Sequence, residues 1–277
     1  MSKILITGGN GQLGTSLGMI LPDAIRTDYD VLDITNENAV RQFVKRNNVD
    51  TIINCAAYTA VDKAEDNIDA ATKINVDGPR NLAKSGAKII HISTDYVFDG
   101  SGHTPYQTWE PTSPKSVYGK TKLAGEQAVM DYANMAIVIR TAWLYSPYGN
   151  NFVKTMLRLG DEKKSINVVN DQIGTPTYAA DLAHAIKAVL PQMKSKNAGV
   201  YHFTDEGVCS WYDFATEIMN MAGKKCVVRP IPTSEYPTRA SRPAYSVLDK
   251  TKIKKVFGIQ IPHWRQSLEM CIKQLSR

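Results

Sequence analysis

"KILITGGNGQLG" (residues 3–14) puts a short apolar run directly before three glycines spaced Gly8-x-x-Gly11-x-x-Gly14. An apolar run that breaks into glycines and then resumes as a helix-forming stretch predicts strand, tight turn and helix N-terminus in that order. Each glycine has a physical reason. One makes the turn, one lets the backbone approach a pyrophosphate, and one lets helix and strand pack closely. The amides of the helix N-terminus then face the anionic phosphates. Gly8, Asn10, Gly11, Gln12, Leu13 and Gly14 are therefore expected to hold a dinucleotide. An acidic residue is expected after the second strand, and Asp28 stands there, with Asp33 and its apolar neighbour Ile34 close behind as candidates for the adenine end. Either carboxylate also suits a turn or cap. Ala56, Ala57 and Tyr58, at the end of the next apolar run, leave room for a flat cofactor. Asp28 points to NAD, while Arg26 and the basic balance leave NADP open.

Working outward, apolar runs alternate with helix-like runs through the first half. Strands are expected at 3–7, 24–28, 51–58, 88–94 and 136–145. Helices are expected near 12–21, 36–47, 68–85 and 119–133. Near-continuous apolar strands separated by helices predict a parallel sheet covered on both faces, a doubly wound α/β fold of Rossmann type. Later segments, including the proline-rich 229–246, read as a smaller C-terminal α/β lobe lying against the strand ends, where open sheets bind ligands. The division expected is 1–148 with 178–203 for the nucleotide domain, and 149–177 with 204–277 for the substrate lobe.

Composition bounds the rest. A chain of 277 residues holds a real core. The net charge of +6 is concentrated late, as in "DKTKIKKVFG" (249–258). With no recognition motif this reads as solvated surface that suits phosphate-bearing small substrates, not nucleic acid. No run is long enough to span a membrane, and "MSKILITGG" reads as a first strand, not a leader. Cys55, Cys209, Cys226 and Cys271 show no metal or redox spacing, so reduced thiols, a cytoplasmic location and no metal site are expected.

"VYGKTKLAGE" (117–126) places Tyr118 and Lys122 four apart, on one face of a helix. Composition alone yields about one such pair in a chain of this make-up, so the spacing decides nothing by itself. It gains meaning from its neighbours. The glycine turn, "NCAAYT" (54–59), "ISTDYVFDG" (92–100) and "YGKTK" (118–122), in that order, resemble the extended short-chain dehydrogenase/reductases. The stretches "AYTAVDKAE" (57–65), "GNNFVKTMLRL" (149–159), "NDQIGTPT" (170–177) and "YPTRASRP" (236–243) are similar to the members that reduce keto groups of nucleotide sugars.

The resemblance implies NADPH, with NADH as an accepted alternative, and a dTDP-linked 4-keto sugar as substrate. It makes Tyr118 the general acid, also in contact with the cofactor. Lys122 becomes the residue that binds the nicotinamide ribose and lowers the Tyr118 pKa. Thr94 holds the substrate carbonyl oxygen, with adjacent Ser93 as its rival. Asp95, Trp143, Asn151 and Arg242 are implied to contact substrate, although a surface ion pair is an equally plain reading of Arg242. Some relatives dimerise through magnesium held by glutamates. Here "YAADLAH" (178–184) has none, which argues against that metal and for a monomer or weak homodimer. Related dehydratases carry Asp-Glu after the threonine. Asp95-Tyr96 stands here instead, which leaves an epimerase retaining its NAD, or a non-catalytic subunit, as the alternatives.

Overall fold

The computed structural model describes residues 3–276. Six parallel strands form the central sheet: β1 (Lys3–Thr7), β2 (Ile25–Thr27), β3 (Val49–Asn54), β4 (Lys88–Thr94), β5 (Ala136–Thr141) and β6 (Gly199–His202). Their order is β6-β5-β4-β3-β1-β2, so the chain winds outward from β1 in both directions. This is the doubly wound arrangement, with its crevice above the carboxyl ends of the strands.

Two cores cover the two faces. On one, Leu13 and Leu17 of α1 (Gln12–Ile20) meet Ile6, Ile53, Ile90 and Ile139 of the strands. On the other, Val40 and Val44 of α2 (Glu37–Asn47) pack with Leu82 and with Val129 of α3 (Val117–Tyr132) against Leu5, Ile52 and Val138. Neighbouring strand residues thus feed opposite faces, and both are apolar, as burial on both sides requires. Asn36 caps α2 by accepting from the Ala39 amide, as its position before the helix predicts.

A third core lies beyond the strand ends. It joins Val153 and Met156 of α4 (Phe152–Glu162), Tyr178 ahead of α5 (Ala179–Val189), Phe214 and Ile218 of α6 (Trp211–Met221), and Trp264 and Leu268 of α7 (Trp264–Leu275). Helix Thr251–Phe257, expected with this lobe from its place in the chain, packs Ile253 and Phe257 into the α1 side of the sheet instead.

Two strand expectations run too far. β3 ends at Asn54, leaving 55–58 as loop, and β5 ends at Thr141 instead of continuing to Tyr145. At Trp143 the backbone turns left-handed (φ +49°), and Leu144–Tyr145 then pairs separately with Thr177–Tyr178. Both strands stop where the chain must open into the crevice.

Candidate active site

A cavity of about 790 Å³ lies above the ends of β1, β3, β4 and β5, between the sheet and the lobe. Gly8, Gly11, Gln12, Leu13 and Gly14 line its floor. The glycines divide the work. Gly8 is left-handed (φ +65°), and a Cβ there would sit 2.7 Å from the Ala56 amide nitrogen. A Cβ on Gly14 would lie 2.7 Å from Gly9 Cα, inside the turn itself. Gly11 differs, because a Cβ there would meet only the Gly8 carbonyl, at 3.2 Å, and would otherwise occupy open cavity. Gly11 is also the N-cap of α1 and offers no side chain to the first-turn amides. Those amides stand free to bind an anion, which is the fit a pyrophosphate needs.

Asn10 and Gln12 act on the loop. The Asn10 amide donates to Asp28 Oδ2 at 3.1 Å. Gln12 donates to the Leu144 carbonyl at 3.4 Å and accepts from Ser146 and Asn151, both at 3.0 Å, tying α1 to the segment entering the lobe. Asp28, Asp33 and Ile34 line the far end of the cavity with Tyr29, Leu32 and Thr35. The Asp28 carboxylate is engaged by the Asn10 and Tyr29 amides, and Asp33 holds the Thr35 amide and hydroxyl. Both carboxylates therefore shape turns as well as facing the cavity. Ala56 and Ala57 line it; Tyr58 is outside the lining, its backbone clamped at both ends by the Asn75 side chain.

The reacting end is built where β4 meets α3. Strand alternation separates the two neighbouring hydroxyls. Ser93 donates to the Glu126 carboxylate, while Thr94 donates to Asp95 Oδ1 at 3.0 Å and lies beside the Tyr118 phenol. Ser116 caps α3 by accepting from the Gly119 amide at 3.1 Å, which sets Tyr118 in the first turn. Tyr96 lies edge-on to Tyr118, ring centroids 5.5 Å apart.

Burial pushes the Tyr118 phenol well above its ordinary pKa; the Thr94 hydrogen bond opposes this, and Asp95 and Tyr96 add to it. Lys122, one turn on, is itself buried. Its Nζ donates to the Ile92 carbonyl at 2.6 Å, and burial draws it down to about 8 against the opposing pull of Glu126 and Cys55. Asp95, 2 % exposed, is raised to about 6 by burial, against the hydrogen bond from Thr94. Its Oδ2 is unpartnered.

The sugar end lies toward the lobe. Trp143 stacks on Trp211 at 3.6 Å with a 13° interplanar angle, and both line the cavity. A Cβ on Gly174 would come within 2.7 Å of the Trp143 indole, so this glycine makes room for the stack. Arg242 reaches the cavity but donates to Asp62 Oδ2 at 2.7 Å and to the Tyr96 hydroxyl at 3.2 Å. Asn151 lines the cavity too, yet its amide caps α4 and joins Ser146 to Gln12. Its place is that of a brace.

Four contributors escape a reading by motif: Asp62, Asn75, Tyr96 and Trp211. Asn75 is fully buried in a π-helical turn (Lys73–Asp77) and also donates to Thr121 of α3 at 3.1 Å. A Cβ on Gly125 would collide with its carbonyl oxygen, so α3 approaches through a glycine. Such turns recur at functional sites, but no periodicity announces one.

The family described as "RmlD substrate binding domain" matches residues 2–277. The dTDP-4-dehydrorhamnose reductase of Aggregatibacter actinomycetemcomitans is 42% identical, covering 97% of this chain and 98% of its own length. A dTDP-4-dehydrorhamnose reductase structure from Clostridium acetobutylicum is 46% identical with a TM-score of 0.96, covering 99% of this chain and 100% of that one. The Bacillus anthracis enzyme, solved in complex with NADP, is 43% identical with a TM-score of 0.95 and the same coverage. With this likeness running from end to end, the chain belongs to the RmlD family of dTDP-4-dehydrorhamnose reductases.

Proposed function

We propose that this protein reduces the 4-keto group of dTDP-4-dehydro-β-L-rhamnose with NADPH to give dTDP-L-rhamnose, the last step of dTDP-rhamnose biosynthesis. The observation that carries the reading is a single cavity holding an uncapped helix N-terminus at one end and Thr94 beside Tyr118 at the other. NADPH, when bound, supplies the hydride. Gly8, Gly11, Gln12, Leu13 and Gly14 would hold its pyrophosphate, with Asp28, Asp33 and Ile34 at the adenine end and Ala56, Ala57, Tyr118 and Lys122 toward the nicotinamide.

The protein's own groups then hold the sugar and deliver the proton. Thr94 orients the sugar carbonyl oxygen. Tyr118 donates a proton to that oxygen as negative charge develops on it, and its raised pKa keeps the phenol protonated and able to donate at neutral pH. Trp143, backed by Trp211, offers an aromatic face to the sugar, and Asp95 accepts from a sugar hydroxyl. Arg242 takes one diphosphate oxygen pair in the bidentate manner of a guanidinium, leaving Asp62 to do so.

Elimination chemistry is disfavoured, because Tyr96 stands where the dehydratases need a glutamate and its hydroxyl is engaged by Arg242. Mixing the protein with the 4-keto sugar nucleotide should consume one NADPH per sugar reduced. Turnover of the sugar with no net loss of NADPH would sink the reductase reading in favour of an internally recycling epimerase. Arg242→Lys keeps charge but loses the fork. It should raise KM for the sugar nucleotide by about tenfold, roughly 1.4 kcal/mol, with the NADPH dissociation constant unchanged. A KM unmoved in steady-state kinetics would leave Arg242 as Asp62's partner alone.

Three finer points complete the proposal. Residues 1–148 and 178–203 form the cofactor domain and the remainder the substrate lobe, apart from the helix Thr251–Phe257 noted above. The absence of Glu from 178–184 favours a monomer or weak homodimer over a magnesium-bridged one. Free thiols at all four cysteines suit a cytoplasmic location, and no helix among the described residues is long and apolar enough to cross a membrane.

A further inference from the structure

Behind the reacting groups lies a buried ionic layer that the proposed chemistry does not use. Glu126, one turn beyond Lys122 on α3, accepts two hydrogen bonds from Arg140 Nε and a third from Arg140 Nη2 at 2.7 Å. Ser93 donates to the same carboxylate. Both charged side chains are about 5 % exposed or less. A buried ion pair is poor value as a stabiliser, since desolvation offsets most of the attraction. Its position suggests another use.

Lys122 is 2 % exposed, and its one hydrogen bond goes to the Ile92 carbonyl, the residue before Ser93. An ammonium so enclosed needs a compensating charge. Three titratable groups from the elements around it act on it: Cys55 at the end of β3, His91 on β4 and Glu126 on its own helix. Burial pushes the Cys55 thiol up to about 12 and the His91 imidazole well below its ordinary value, so both are neutral near pH 7. Glu126, ion-paired to Arg140, is the negative charge. Arg140, on β5, is ion-paired to that carboxylate at 2.7 Å. The Glu126 carboxylate is held in place by hydrogen bonds from two strands, Ser93 of β4 and Arg140 of β5.

We propose that Glu126, oriented by Arg140 and Ser93, is a positioning residue that keeps the buried Lys122 protonated and so able to donate to the cofactor. The role in cofactor binding rests on the function proposed above; the effect on Lys122 itself does not. Removing a negative neighbour lowers a lysine's pKa, so the charge is lost at a lower pH as pH rises.

The test reads Lys122 directly, by ¹³Cε-lysine NMR titration of the whole chain, with Lys122→Met assigning the resonance. In Glu126→Gln the titration should move down by at least one pH unit. NADPH affinity measured by fluorescence should match wild type at pH 6 and fall at least fivefold by pH 8. Because that variant strands a buried guanidinium, Glu126→Gln/Arg140→Met removes both charges at similar volume and should show the same downward shift. A folded variant of either kind whose Lys122 titrates as in wild type overturns the proposal, since a merely structural pair would lower stability and leave the titration in place. A shifted titration with NADPH affinity flat across pH would retain Glu126's effect and remove Lys122 from cofactor binding.

Discussion

Tyr118→Phe should lower kcat for NADPH oxidation by 10²–10⁴-fold while the protein stays folded and binds NADPH as before. The substitution removes one hydroxyl and little volume. Its ring would keep the edge-on contact with Tyr96, and α3 would keep its Ser116 cap. What goes is the proton delivered to the developing alkoxide, a contribution of about 3–5 kcal/mol to the barrier. Lys122→Met should also slow turnover, but it should weaken NADPH binding as well. Replacing Lys120, exposed two residues from Tyr118 and on another helical face, should change little. The measurement is kcat with NADPH dissociation constants for all three. A Tyr118→Phe enzyme within about threefold of wild type would remove Tyr118 as the acid.

Gly11→Val should weaken NADPH binding by well over tenfold, which is more than 1.4 kcal/mol, with an almost unchanged melting temperature. The structure explains why the effect separates from folding. At Gly11 a Cβ crowds only one carbonyl and otherwise fills the space above the α1 amides, where the pyrophosphate would lie. At Gly14 the same atom falls inside the turn, so Gly14→Val should cost both cofactor affinity and several degrees of melting temperature. Calorimetric titration with NADPH and a thermal melt distinguish the two. Unchanged affinity in Gly11→Val would mean the cofactor's phosphates lie elsewhere.

The features legible in the sequence are those whose cause is local. A strand running into spaced glycines and then a helix is dictated within twelve residues, because turn geometry and close backbone approach act on neighbours. Tyr118 and Lys122 share a face through helix periodicity alone, and Asn36 caps α2 from its position. Thr94 and Ser93 are separable in principle by alternation, but which of them lies beside Tyr118 and which meets Glu126 depends on where α3 lies.

What the tertiary structure decided are the properties set by residues distant in sequence. Arg242 spends its charge on Asp62, 180 residues away, where sequence could offer only phosphate or a surface pair. Asn151 proves to be a brace because Gln12, 139 residues away, occupies its amide. Trp143 leaves strand geometry to stack on Trp211, which Gly174 permits. The charge relation within the Tyr118–Lys122 pair is also set here. Helix spacing predicts that they face the same space, but a pKa answers to solvent exclusion and to partners on other strands. Burial raises the one, lowers the other, and ties the lysine to Ile92. Periodicity fixes direction from a helix axis; desolvation is a property of everything packed around it.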